Sequence, residues 1–155
     1  MITSKLGLLD ANILVYAVNE DSQFHDTAVK LRNKGLMGEI PLCVTPQVLS
    51  EFFAIITDPR RIELPLTQAE AALEVENYFF SKSIIKVYPQ PNVIQFMLDF
   101  LKRYSVTRQG IFDLQLVATM LANNITRIYT YNEKDFLQYA EIEAIRPELI
   151  MTFEK

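Results

Sequence analysis

Apolar residues along the chain follow two rhythms. Short segments centred on apolar residues occur at Leu6–Leu9, Ile40–Val44, Ile84–Val87, Arg127–Thr130 and about Ala144–Arg146, and each has the length of a buried strand. Between them lie longer stretches with apolar residues three and four apart, which predict helices over Ala11–Val18, Phe24–Lys34, Pro46–Thr57, Thr67 to about Phe80, Asn92–Tyr104 and Ile111–Asn123. Alternation of strand with helix is the signature of an α/β fold. Local punctuation supports several boundaries. Thr45-Pro46 pairs an N-cap with proline at the first helical position, and Thr67 with Glu70 has capping-box spacing. Gly35 is the expected C-cap of the second helix, and a short tail is expected after Arg146. The stretch Ile111–Asn123 is apolar nearly all round, Phe112 included, and predicts a helix buried on most sides.

Composition narrows the picture. The 155 residues suit one domain, with 50% apolar and 22% charged residues. No apolar run approaches the roughly 20 residues that span a bilayer. The N-terminus lacks a secretory pattern, so a cytoplasmic protein without membrane association is expected. Cys43 is the only cysteine and sits in an apolar run, which excludes an internal disulfide and predicts a core thiol. A net charge of −4 argues against a broad basic footprint for duplex DNA, though not against a few contacts to a short single strand. His25 is the only histidine, which removes paired-histidine metal sites. It lies near a helix start, where a surface or capping role is expected. Any chemistry here runs on carboxylates.

Four carboxylates stand out. Asp10 and Asp135 follow strands directly, Glu51 lies on the helix after the second strand, and Asp113 lies in the first turn of a helix after a polar loop. In an open α/β sheet, ligands collect beyond the carboxyl ends of strands, where Asp10 would point. Each acid also has a plain structural reading. Asp10 and Asp113 fit helix N-termini, and Glu51 falls at the margin of its helix's apolar face. Buried carboxylates need cations or donors, and these segments hold too few Lys and Arg to pair each one. A shared divalent ion is the economical partner, and oxygen ligands without His or Cys suit Mg²⁺ or Mn²⁺.

Four segments together resemble the PIN domain, a metal-dependent nuclease fold best known from the VapC toxins of prokaryotic toxin–antitoxin pairs. They are Leu8-Leu9-Asp10-Ala11-Asn12-Ile13-Leu14, Val44-Thr45-Pro46-Gln47-Val48-Leu49-Ser50-Glu51-Phe52, Ile111-Phe112-Asp113-Leu114-Gln115-Leu116-Val117-Ala118 and Ile128-Tyr129-Thr130-Tyr131-Asn132-Glu133-Lys134-Asp135-Phe136. They span nearly the whole chain in the expected order. The resemblance implies one PIN-like nuclease domain over residues 1–155, three-layered, with a central mostly parallel sheet of about five short strands flanked by helices. It implies that Asp10, Glu51 and Asp113 bind one or two Mg²⁺ or Mn²⁺ ions. Many relatives carry an acid two residues after the position of Thr130, where this chain has Asn132. Either Asp135 supplies that charge or Asn132 ligates as a neutral oxygen. Asn12 and Thr130 are expected to orient a ligand or water. The implied reaction is hydrolysis of RNA, single-stranded or looped, with Arg60, Arg61, Arg108 and Lys134 as candidate phosphate contacts. A small antitoxin and a homodimer are implied as partners.

Two other readings stand beside this one. A signalling domain would use Asp10 as a phosphoacceptor, with Asn12 and Lys134 as imperfect matches to its usual acid and lysine. A non-catalytic PIN-like module would bind RNA or protein without metal.

Overall fold

The computed structural model describes residues 5–151. Its elements, in chain order, are β1 (Gly7–Leu9), α1 (Ala11–Val18), α2 (His25–Leu36), β2 (Leu42–Val44), α3 (Pro46–Ile56), α4 (Gln68–Phe79), β3 (Ile84–Lys86), α5 (Val93–Arg103), α6 (Gly110–Ala122), β4 (Arg127–Tyr129), β5 (Glu143–Ile145) and α7 (Pro147–Met151), with a 3₁₀ turn at Glu133–Phe136 between β4 and β5. The five strands form one parallel sheet in the order β3-β2-β1-β4-β5. Leu8 of β1 pairs with Cys43 on one side and Ile128 on the other, and Leu9 pairs with Tyr129. All of these side chains are buried, as expected of parallel strands covered on both faces.

That strand order positions the site. The chain begins in the middle of the sheet, moves outward through β2 and β3, and returns to the other side of β1 for β4 and β5. Right-handed crossovers put α1–α4 on one face and α5–α6 on the other. The helix pairings divide the same way, α1 packing on α2 and α3, α3 on α4, and α5 on α6. The direction of winding reverses between β1 and β4, so a crevice opens beyond their carboxyl ends. A flavodoxin-like order, the frame a phosphoacceptor domain of that type would need, places β1 between β2 and β3 and is not the order here.

The capping signals work as expected. Thr45 accepts a hydrogen bond from the Val48 amide at 3.1 Å, and Thr67 and Glu70 close a reciprocal box at 3.0 and 3.2 Å. Gly35, however, is not the C-cap of α2. It lies within the helix, where a Cβ would meet the side chains of Leu42 and Ile84, so its role is close packing of α2 on the sheet. The left-handed turn falls instead on Gly38, at φ 76°. The expected tail after Arg146 contains the short helix α7, which opens on Pro147 at its first position and buries Ile150. Phe112 departs from its expected burial and is 53% exposed, although Leu114, Leu116, Val117 and Ala118 of the same helix are buried. Cys43 is fully buried, and desolvation pushes its thiol up to about 12.

Candidate functional site

Asp10 stands at the switch point. Its amide bonds to the Tyr129 carbonyl at 3.0 Å, which ties the end of β1 to the end of β4. Its backbone then turns into α1, and Oδ1 accepts from the Ala11 amide at 2.8 Å. The capping reading is therefore correct for half of this carboxylate. The other oxygen, Oδ2, accepts from Thr130 Oγ1 at 2.8 Å and from Asn12 Nδ2 at 3.1 Å. The Thr130 hydroxyl in turn accepts from Asn12 Nδ2 and from the Asn132 amide, both at 3.0 Å, while Asn12 Oδ1 accepts from the Tyr131 amide at 3.0 Å. This clamp fixes the first residues of α1 against the segment leaving β4. Because Thr130 is fully buried, Thr130→Val would take the acceptor from the Asn132 amide and leave Asn12 Nδ2 and Asp10 Oδ2 with only each other. Urea titration is expected to show a loss of about 1–3 kcal/mol, largely recovered in Thr130→Ser.

Beyond the clamp lies a cavity of about 820 Å³, lined by Asp10, Glu51, Asp113 and Asp135 together. Four elements bring them there: the end of β1, the middle of α3, the first turn of α6 and the 3₁₀ turn after β4. Gln47, one helical turn before Glu51, donates to the Phe112 carbonyl at 2.9 Å and so holds the start of α6 against α3. Asn12 and Tyr16 line the same cavity from one stripe of α1, with Asn19 just past the helix end.

The acids act on one another. Burial raises the pKa of Asp10 most strongly, the charge of Asp135 adds to it, and the Thr130, Ala11 and Asn12 hydrogen bonds oppose the rise. Burial raises Glu51, with the charge of Asp10 adding and Arg61 opposing. Asp113 is pushed up to about 6 by burial and then by the charges of Asp135, Asp10 and Glu51. Opposite charge is scarce. Of the four candidate cations, Arg61 alone lines the cavity. Arg60 is turned onto Asp58, at 3.1 and 3.2 Å, and Arg108 and Lys134 are exposed and not among the cavity lining. Asn132 and Asp135 both reach the cavity.

This donor set is all oxygen, carboxylate and amide, which is the chemistry of a hard divalent cation. Among the described residues, no three Asp, Glu, His or Cys side chains stand close enough to hold one ion directly. An open cavity of this size suits an ion that keeps several of its waters and takes one or two carboxylates directly, as Mg²⁺ does. Sequence reasoning missed Gln47, Tyr16 and Asn19. The signal was helical spacing, since Gln47 precedes Glu51 by four residues and Tyr16 follows Asn12 by four.

A parallel α/β domain with an acidic cavity at its switch point defines the class, and residues 7–142 match the family model described as PIN domain. The chain belongs to the PIN domain family. It is 26% identical over 142 residues to a protein of Mycobacterium tuberculosis named Ribonuclease VapC31, covering 92% of this chain and 99% of that one. Ribonuclease VapC24 of the same species is 26% identical over 133 residues, 84% of this chain and 89% of the relative. Among solved structures, the fold is similar to Mycobacterium tuberculosis VapC20, described as a Sarcin-Ricin loop cleaving toxin. The TM-score is 0.64 at 15% identity, covering 87% of this chain and 95% of that one. The VapBC2 structure from Rickettsia felis, bound to a promoter DNA fragment, gives a TM-score of 0.62 at 15% identity, over 91% and 98%. Among the described residues, no helix is long and apolar enough to cross a membrane.

Proposed function

We propose that this chain, one PIN unit throughout, is a metal-dependent endoribonuclease and the toxin of a toxin–antitoxin pair. The observation that carries the reading is the gathering of Asp10, Glu51, Asp113 and Asp135 around one cavity whose lining, among the described residues, holds a single cation. Family membership and the names of the relatives support it. Asp10, Glu51 and Asp113 would hold Mg²⁺ or Mn²⁺. Asp135 is favoured over Asn132 for the fourth charge, because it acts electrostatically on both Asp10 and Asp113. When bound, the ion polarises a phosphoryl oxygen and lowers the pKa of a water. The chain's own work is positional. Thr130 and Asn12 hold the Asp10 carboxylate with its lone pairs partly engaged and fix its direction. Gln47 keeps Asp113 opposite by anchoring the turn before it. Arg61 offers a phosphate contact at the Glu51 side.

As the toxin of such a pair, the chain would act in the cytoplasm, pair with an antitoxin that covers this cavity, and form a homodimer. Purified protein incubated with single-stranded RNA is expected to cleave it in Mg²⁺ or Mn²⁺ and to stop in excess chelator. Cleavage that persists in chelator overturns the metal-dependent reading. RNA left intact with both ions favours a binding module instead.

A further inference from the structure

Without an ion the four carboxylates repel a phosphate backbone, and Arg61 is the only cation among the described residues lining the cavity, which gives weight to contacts with the bases. Phe112 is placed to supply one. It precedes Asp113 directly, lines the same cavity and is 53% exposed on a helix that buries Leu114, Leu116, Val117 and Ala118. Other rings near the site are occupied by one another. Tyr16 packs on Phe24 at 5.3 Å and on Tyr131 at 5.5 Å, and Arg146 covers Phe24 and Tyr131. Among the described residues Phe112 is in no ring pair and under no cation. Its backbone is anchored beside the cavity, because Gln47 donates to its carbonyl at 2.9 Å.

Building on the nuclease reading, we propose that Phe112 is a stacking platform for an unpaired nucleobase next to the phosphate held at the acidic cavity. The platform selects single-stranded over paired RNA, because a base inside a duplex presents no free face to it. Stacking tolerates every base, so Phe112 contributes affinity and placement and little sequence preference.

The chain contains no tryptophan, so Phe112→Trp creates a fluorophore unique to this position. Rapid mixing of this variant in Mg²⁺ buffer with a labelled oligoribonucleotide reads indole emission and RNA anisotropy in the binding phase, before turnover. Emission is expected to be quenched by the oligonucleotide and not by the same backbone carrying abasic sugars. Phe112→Ala and Phe112→Leu are expected to weaken binding by roughly 5- to 100-fold, with Phe112→Tyr close to the parent. RNA that binds without quenching, or quenching by the abasic strand, overturns the stacking role and leaves the nuclease reading standing. So does a Leu variant that binds like the parent. Absence of any anisotropy change overturns both. Emission that shifts with protein concentration alone assigns the ring to a contact between copies and overturns the proposal.

Discussion

Asp10→Asn is expected to lower RNA cleavage by roughly 10³-fold, the largest single effect in the chain, while the protein stays folded. The carboxylate is 9% exposed and already spends one oxygen on the Ala11 amide, which an asparagine oxygen also satisfies. The loss falls on the second position. Oδ2 accepts from both Thr130 and Asn12, and an amide nitrogen there offers no lone pair to either donor or to a cation. The Thr130 hydroxyl already accepts from Asn12 Nδ2 and the Asn132 amide, so the new amide has to displace one of these donors and the clamp loosens there, while the Ala11 cap is kept. Cleavage of a labelled RNA at saturating Mg²⁺, with circular dichroism as the folding control, checks both halves. A folded Asp10→Asn protein that cleaves within a few-fold of the parent would remove Asp10 from the chemistry.

What the sequence makes legible follows from the range of each signal. Thr45-Pro46 and Thr67-Glu70 specify their helices through contacts within a few residues, and both can be read directly. Asp10 is readable because a strand-end acid is a local event. Its meaning requires the strand order, since the crevice exists only because β4 returns beside β1 across more than a hundred residues. Gly35 and Gly38 show the reverse case. Either glycine could end α2 by local rules, and the contact of Gly35 with Leu42 on the neighbouring strand decides between them. Phe112 misleads for a related reason. Periodicity reports how apolar a helix face is, whereas the gap between α3 and α6 determines whether that face is covered. Pro147 does announce α7, but five residues carry too little periodicity to separate a helix from a tail.

The acidic cavity should also be visible in the stability of the metal-free protein. Asp10, Glu51 and Asp113 all have raised pKa values, so at mildly acidic pH the folded chain holds protons that the unfolded chain has released. The contribution of protonated Asp113 to folding is therefore full below the ordinary aspartate value of 3.8, declines as pH rises from there, and is gone above about 6. Other carboxylates pull the opposite way. Hydrogen bonds from Arg60 and Arg127 lower the pKa of Asp58 and Glu143, so the comparison has to isolate the cavity. Asp113→Asn does this, because every influence on Asp113 is burial or repulsion and no hydrogen bond is given up. In chelator, Asp113→Asn is expected to melt above the parent at neutral pH and by a clearly smaller margin near pH 5, the two meeting only near pH 3.8. Mg²⁺ at about 100 times its dissociation constant adds about 2.7 kcal/mol to the parent, a rise of roughly 5–10 °C for a chain of this size. That rise should shrink near pH 5, where protons compete for the same oxygens, and should largely vanish in Asp113→Asn. Thermal melts at the two pH values, with and without Mg²⁺, decide it. An ion that stabilises the variant as much as the parent binds somewhere other than this cavity.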